Sequence, residues 1–478
     1  MAKKRIILDL TDEKDGVTGT GQYLNAIFPG KVLCGIAGYT KNIPFLVDCG
    51  SFQGLDNIDQ LNTTFNFDIT SPEFSILTHA HLDHYGRYPL AMSQGFHAPV
   101  FTTYPTKTFL SEVFLQDCLK IEKRRAKKLD AQSLYTETEI QEFEHCMVPC
   151  NFNQKIVYNH NITIHFFDNG HVPGAAVTLI TISYPDCEDM NIVITGDYNN
   201  RNDFFQVKPL PEWIYELPNV SVIIEATYGG TKSSDLREKC FIDNVVRALS
   251  EGKTCIVPAF SFGRTQEVLY KLRIAQDMGI LPPRFEIFLD GKTAIHTTSL
   301  FQNGAFKMHP NAKDFLPDNL TIVEDKTMRN FLIHENYLPK IFVSSSGSGS
   351  YGPSQTYINK YINNPMAMIH ATGHIFPDSK LGRLRDDDSI VAQFFDTDEF
   401  SAHAKQEVLV DFVKPFKNLK SVFIHHGEDE SKKELAYSLK EICNASIHIL
   451  SSNKVFRMIS DGTSEEFPRF SDSNVPIR

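Results

Sequence analysis

Ser75-Ile-Leu-Thr-His-Ala-His-Leu-Asp-His84 decides how this chain is read: a short apolar run ends, and four metal-competent side chains follow between His79 and His84. His79 and His81 are two residues apart, so an extended segment points them to one side, where they can close on a single ion. In a helix the same spacing would set them on opposite faces. Asp83 and His84 follow after a further half turn, strained for that ion but well placed for a second one beside it. Two metals are therefore expected. Imidazole nitrogens with a carboxylate suit zinc, and manganese or iron also accept such ligands. The metalloprotease pattern His-Glu-x-x-His on one helix face is absent. With 17 histidines in the chain, some must lie on surface loops. Three with an aspartate, at this spacing behind an apolar strand, point instead to a shared site.

Working outward, Pro44-Phe-Leu-Val-Asp-Cys-Gly50 reads as a buried strand that hands over to Asp48 and then a glycine-permitted turn. Downstream, the alternating run Asn161-Ile-Thr-Ile-His-Phe-Phe167 leads into Asp168-Asn-Gly-His-Val-Pro-Gly174. His171 sits there in a glycine-flanked loop directly after a strand, where a third ligand for the His79/His81 ion should come from. Asn191-Ile-Val-Ile-Thr-Gly-Asp197 is another strand ending in a carboxylate. Asp48, the 79–84 cluster, His171 and Asp197 all leave strand ends, which places them on one face of one domain. From Pro209 onward, near-continuous apolar strands (Val220–Glu225, Cys255–Pro258, Arg284–Leu289, Lys340–Ser345) alternate with helices over about 234–250 and 264–278. That rhythm implies a parallel sheet covered on both sides, a second domain.

At 478 residues the chain exceeds one typical core. No apolar run reaches the roughly 18 residues of a membrane span, and the apolar start is broken at Asp9, so no signal peptide is expected. Nine cysteines without a Cys-x-x-Cys pair fit reduced thiols in a cytoplasmic protein. The net charge of −11 argues against a protein that coats nucleic acid, though not against an enzyme acting on it. One basic run stands out, Lys120-Ile-Glu-Lys-Arg-Arg-Ala-Lys-Lys128, on a helix beginning near Lys107. Such runs are usually solvated helix faces; contact with phosphate is the alternative.

His-Ala-His-Leu-Asp-His resembles the signature of the metallo-β-lactamase superfamily. Several further stretches resemble its nucleic-acid-processing β-CASP branch: Gly16-Val-Thr-Gly-Thr-Gly21, Glu225-Ala-Thr-Tyr-Gly229, Pro258-Ala-Phe-Ser-Phe-Gly-Arg264, Ser344–Gly352, Phe400-Ser-Ala-His-Ala404 and His425-His-Gly-Glu428. The resemblance implies an αββα metallo-β-lactamase sandwich, residues 1–208 and 397–478, with a β-CASP domain inserted at 209–396. It implies two divalent ions, most readily Zn2+ with Mn2+ as the alternative. One would be held by His79, His81 and His171, the other by Asp83, His84 and His426, with Asp197 bridging and Asp48 orienting a ligand or water. The His425-His426 doublet leaves the register one residue uncertain, and the His-Gly-Glu order favours His426. His374 departs from the family, which usually has tyrosine there.

The activity implied is hydrolysis of RNA by a hydroxide that two metals activate, with His403, held by Glu225, as general acid. Cutting would be endonucleolytic, 5′–3′ exonucleolytic or both. The relatives implied are the endonuclease subunit of the pre-mRNA 3′-end cleavage machinery and ribonuclease J, here in a short form without the latter's extra C-terminal domain. Ser346, Gly347, Ser348 and Gly349 could present backbone N–H groups to phosphate. The expected partner is single-stranded RNA, with no membrane; a homodimer stays open. A small-molecule hydrolase of the superfamily, a DNA nuclease of the same fold and a non-catalytic nucleic-acid binder are the rivals.

Overall fold

Neighbouring residues on a strand face opposite sides of a sheet, and the strand Met190–Ile194 uses both sides. Ile192 and Ile194 enter one core and Val193 another. In the computed structural model this chain forms two compact units, one of residues 1–201, 207–233 and 403–478, the other of 202–206 and 234–402. The structure describes residues 4–12, 20–33, 36–52, 58–201, 204–205, 207–232, 240–304, 306, 308, 312, 314–335, 338–373, 375, 377–397, 399–400 and 402–469.

The first unit is a sandwich of two sheets. One has eight strands, in spatial order Ser464–Pro468, Lys454–Ile459, Ile7–Asp12, Gln22–Leu33, Ile36–Val47, Phe74–Ile76, Val100–Thr103 and Met147–Cys150. The other has seven: Ser446–Ile449, Leu419–His425, Val220–Glu225, Met190–Ile194, Ala176–Ile182, Ile162–Asp168 and Ile156–Val157. Leu8, Leu24, Phe45, Phe74 and Ile76 from the first sheet meet Ile164, Phe166, Ile180, Ile192 and Ile223 from the second, all fully buried. Each such side chain contributes roughly 1.5–3 kcal/mol. The outer face of the seven-stranded sheet, with Val193, Val222 and Ile224, is covered by Val408, Leu409 and Phe412 of the helix Gln406–Val413 and by Leu435 and Leu439 of the helix Asp429–Ile442. On the other side of the sandwich, Tyr88 of the helix Tyr88–Ser93 stacks on Phe143 of the helix Glu137–Cys146 at 4.6 Å. This is the αββα order.

The second unit holds a six-stranded, wholly parallel sheet in the order Leu320–Val323, Ile287–Asp290, Ile341–Ser344, Thr254–Pro258, Ala367–Ala371, Gln393–Asp396. Helices Phe241–Ser250, Arg264–Asp277 and Gly352–Tyr361 alternate with these strands, as the apolar rhythm implied. No helix among the described residues is long and apolar enough to cross a membrane.

One expected boundary is corrected. The apolar rhythm assigns Val220–Glu225 to the start of the inserted domain, but the strand pairs in parallel with Met190–Ile194 on one side and Leu419–His425 on the other, inside the first unit. Its residues alternate between the two cores of the sandwich, which requires a central strand buried on both faces. Apart from the short piece 202–206, the second unit therefore runs from 234 to 402 rather than from 209 to 396. Most of Gly16–Gly21, the expected helix start at Ser234 and His374 lie outside the described residues.

Candidate active site

The strand Phe74–Ile76 ends where the decisive stretch begins, and the extended residues after it carry His79 and His81 before a short helix, Leu82–Tyr85, lifts Asp83 and His84. That helix is held by backbone contact with the turn after Asp48 and with the residue leading into the strand Gln22–Leu33: the Cys49 N–H donates to the His84 carbonyl at 2.7 Å and the Thr20 N–H to that of Asp83 at 2.8 Å. Gly50 is required here. A Cβ at that position would lie 1.4 Å from the Asp83 carbonyl oxygen. Asp48 itself has φ +60, left-handed backbone that an aspartate tolerates better than most residues.

His171 arrives from the loop after Ile162–Asp168, and Asp197 from the end of Met190–Ile194. Asn169 ties the two together: its amide donates to the carbonyls of Thr195 (2.9 Å) and Asp197 (2.6 Å), and its Oδ1 accepts the His171 N–H at 3.0 Å. His426 follows the strand Leu419–His425 with φ +47. That break in alternation turns the two rings of the doublet apart. His426 turns toward Asp83 (Nε2 to Oδ2, 3.5 Å), whereas His425 turns toward Gln22, whose Nε2 lies 3.2 Å from its Nδ1.

Two groups of donor atoms result. In each, one ligand atom per residue lies within 4.8 Å of all the others: His79, His81, His171 and Asp197 in one, Asp83, His84, Asp197 and His426 in the other. Asp197 is common to both. Nδ1 of His81 stands 3.1 Å from Nε2 of His79 and 3.0 Å from Nε2 of His171, the crowding expected of nitrogens around one ion.

The protons behind these atoms can be assigned. Asp48 Oδ2 accepts from the Thr78 hydroxyl (2.8 Å) and from His84 Nδ1 (2.8 Å), because a carboxylate only accepts. His84 therefore carries its proton on Nδ1 and leaves Nε2 bare. The Thr78 hydroxyl has spent its one proton on Asp48, so at 3.1 Å it accepts from His79 Nδ1, which bares Nε2 of that ring too. The Thr227 hydroxyl sits 2.9 Å from His426 Nδ1 in the same supporting position.

This arrangement fits divalent metal. Nε2 of His84, Nε2 of His426 and Oδ1 of Asp197 are buried with neither solvent nor a well-directed hydrogen bond. The field tells the same story. Burial and the nearby His84 hold His79 well below its ordinary value, and burial takes His81 down to about 4. Burial opposes charge on His84 as well, but Asp197 and Asp48 outweigh it and raise the ring well above its ordinary value. A cation at Nε2 takes the place of that proton, and metal binding at such sites releases protons.

A third group, Glu225 with His403, adjoins Asp197. Glu225 ends the central strand, fully buried, and accepts from the Tyr198 N–H (2.7 Å), the Thr227 N–H (3.2 Å) and His403 Nδ1 (2.9 Å). His403 Nε2 faces Asp197 at 3.9 Å. Although burial disfavours its charge, Glu225 and Asp197 push the His403 imidazole up to about 9. All the proposed ligands and this pair thus converge in the first unit.

The expected phosphate contacts lie elsewhere, in the second unit, and are less open than the sequence suggested. The Ser346 N–H donates to the Tyr351 carbonyl, the Gly349 N–H to Ser346 and the Ser350 N–H to the Ser348 hydroxyl. Gly347 packs on Phe260, where a Cβ would lie 2.7 Å from the ring. The loop is a folded turn with its amides partly spent. Thr78, Asn169 and Thr227 have no counterpart in the sequence reading; the Asn-Gly-His order after a strand was the one signal for Asn169.

A sandwich of this order with paired His/Asp groups at its strand ends defines a metallo-hydrolase. The comparisons specify it: residues 39–207 match the Metallo-beta-lactamase superfamily domain, 265–382 the Beta-Casp domain and 387–450 the Zn-dependent metallo-hydrolase RNA specificity domain. The chain belongs to the β-CASP branch of the metallo-β-lactamase superfamily. Among its relatives is the protein named "Probable RNase MJ4" of Methanocaldococcus jannaschii, 28% identical over 82% of this chain and 89% of that protein. Ribonuclease TTHA0252 of Thermus thermophilus is 27% identical over 80% and 88%. The Integrator complex subunit 11 homolog of Dictyostelium discoideum is 25% identical over 82% of this chain and 54% of its own length.

Proposed function

We propose that the chain is a metal-dependent ribonuclease that hydrolyses phosphodiester bonds in single-stranded RNA. The carrying observation is the convergence on Asp197 of two metal-competent groups and of the Glu225–His403 pair. The relatives named as ribonucleases support RNA as the polymer.

His79, His81 and His171 would hold one ion, Asp83, His84 and His426 the other, and Asp197 would serve both. Zinc suits the imidazole-rich set best, with manganese as the alternative. Bound there, such ions supply a nucleophilic hydroxide at neutral pH and counter-charge for the phosphate oxygens. The protein's own residues do the rest. Asp48 and Thr78 fix the tautomers of His84 and His79. Glu225 holds His403 by Nδ1, so the proton on Nε2 is the one available to the leaving sugar oxygen. Glu225 orients and charges that ring rather than exchanging protons with substrate. In the second unit, Gly347 and Ser348 offer the backbone N–H groups that the Ser346–Gly349 turn does not use internally, and we assign them to substrate phosphate. The eight described cysteines are free thiols, which supports a cytoplasmic setting.

The test is hydrolysis of a single-stranded RNA labelled internally and at its 5′ end, with zinc or manganese, beside the Asp197→Ala protein and a matching DNA. Internal fragments from RNA would identify an endonuclease, and stepwise release of mononucleotides from the 5′ end an exonuclease. Failure of metal-loaded protein to cut RNA would refute the reading.

A further inference from the structure

The helix Leu115–Leu129 buries Leu115, Cys118, Leu119, Glu122 and Ala126 and turns the opposite face outward. That face carries Lys120, Lys123, Arg124, Lys127 and Lys128, all exposed and spaced three or four residues apart, as neighbours on a helix surface must be. Two of the six basic side chains on this helix are already matched. Lys120 pairs with Asp117 at 2.8 Å, and Arg125 pairs with the buried Glu122 at 2.7 Å. Lys123, Arg124, Lys127 and Lys128 make no ion pair among the described residues. They form a four-charge stripe on a chain of net charge −11. Lys127 and Lys128, in the last turn, also favour the helix C-terminus. Lys123 and Arg124 lie a turn earlier and gain nothing from it.

The position of the stripe gives it a use. The start of the helix is fastened to the metal-bearing segment of the same unit: the Tyr85 hydroxyl donates to the Phe114 carbonyl at 3.3 Å, and the Cys118 thiol lies 3.7 Å from the Gly86 carbonyl. Tyr85 and Gly86 directly follow the candidate ligands Asp83 and His84. From Cys118 the axis rises about 7 Å to Lys123 and about 15 Å to Lys128. A chain of phosphates leaving the site along this helix would meet the four charges in succession. Ile121, half exposed beside Arg124, gives that face an apolar contact for a base.

We infer that the outward face of this helix is an accessory binding surface for the phosphate backbone of single-stranded RNA, outside the bond being cut. The inference rests on the ribonuclease reading and adds to it where the length of the substrate is sensed. The stripe would raise affinity for long RNA and leave the chemical step alone.

The test is the protein with Lys123→Gln, Arg124→Gln, Lys127→Gln and Lys128→Gln together, metal-loaded and compared with wild type on a long single-stranded RNA and on a dinucleotide. Glutamine keeps the helix propensity, and all four side chains are exposed, so the fold should hold. The expected result is an apparent affinity for long RNA reduced by up to about 10²-fold at 0.1 M salt, with the slope of log K against log salt flattened by about 3, at roughly 0.7 per lost phosphate contact. Turnover of the dinucleotide should be unchanged. Unaltered KM and salt slope on long RNA would overturn the inference while leaving the ribonuclease intact, and would leave an acidic protein partner as the reading of the stripe. An equal loss on the dinucleotide would also overturn it, since the defect would then lie at the metals. If wild type cuts neither RNA, the ribonuclease reading falls and this inference falls with it.

Discussion

Around Asp197 two groups of side chains stand back to back and differ in kind. His79, His81 and His171 are three imidazoles that come from an extended segment and a loop, whereas Asp83, His84 and His426 include a second carboxylate and come from a short helix and a strand end. The supports differ as well. Behind the first group stand the Thr78 hydroxyl and the Asn169 amide, both neutral. Behind the second stands the Asp48 carboxylate, 2.8 Å from His84. On the proposed assignment, an ion held by three neutral rings and the shared Asp197 would keep more of its charge than one held by two carboxylates. The first would then be the stronger electrophile and the more zinc-selective, and the second would tolerate oxygen-loving manganese better.

The change that breaks the comparison altogether is Asp197→Ala, since both groups share that carboxylate. It should abolish hydrolysis and lower the metal content of purified protein from two equivalents toward none, measured by elemental analysis. Retention of one tightly held equivalent would mean that the two groups do not depend on a common ligand.

His403→Ala comes next and belongs to neither group. The protein should keep both ions yet slow by about 10²–10⁴-fold, the usual span for a lost general acid. Normal turnover by a metal-replete protein would remove His403 from the mechanism. The Glu225→Gln protein should follow in the same direction, because a neutral amide no longer sustains the charge on the ring.

How far this was readable in advance depends on where the information lies along the chain. The 79–84 cluster, His171 and Asp197 sit in short patterns at the ends of apolar strands, so local spacing singles them out and anticipates one face of one domain, whereas the choice of His426 and the division into two ligand sets come from the family resemblance. The supports were not readable. Threonine at 78 or 227 and asparagine at 169 are ordinary loop residues, and only their distances to His79, His426 and His171 single them out. The placement of Val220–Glu225 failed for a related reason. A central parallel strand reads as a plain apolar run in any α/β sheet, and its assignment comes from partners about 30 residues before it and 200 after it. Which amides of the Ser/Gly turn are occupied is not readable either, because a glycine-rich sequence reports freedom of the backbone and not the hydrogen bonds that the fold then makes with Ser346 and Gly349.

Substitutions of the supports sharpen the comparison further. In Asp48→Asn one oxygen becomes an NH2, yet Oδ1 accepts from the Thr78 N–H and Oδ2 from Thr78 and His84, so either orientation sets donor against donor. Affinity for one equivalent should fall about 10–100-fold, as is usual when an orienting partner is lost. The expected site is the aspartate-containing group, so manganese binding should suffer first. Asn169→Ala is the mirror experiment. It frees the His171 loop and should weaken the imidazole group, seen as a selective loss of zinc in a titration of apo-protein by calorimetry. Equal weakening of both equivalents by both variants would show that the groups behave as one unit.

The smallest effect should come from Thr227→Val. The hydroxyl stands 2.9 Å from His426 Nδ1 and provides the only polar support described for that ring away from the site. Valine keeps the shape and removes the hydrogen bond, but the ring stays buried and packed, its φ of +47 still set by the backbone turn at Gly427. A net hydrogen bond contributes about 0.5–1.5 kcal/mol, so the affinity for one equivalent should drop by roughly 2–10-fold. The loss should fall on the aspartate-containing group, as with Asp48→Asn but weaker. It should be recovered by Thr227→Ser, which restores the hydroxyl. If valine and serine bind metal alike, the backbone alone orients His426, and the second group is held more by its turn than by its hydrogen bonds.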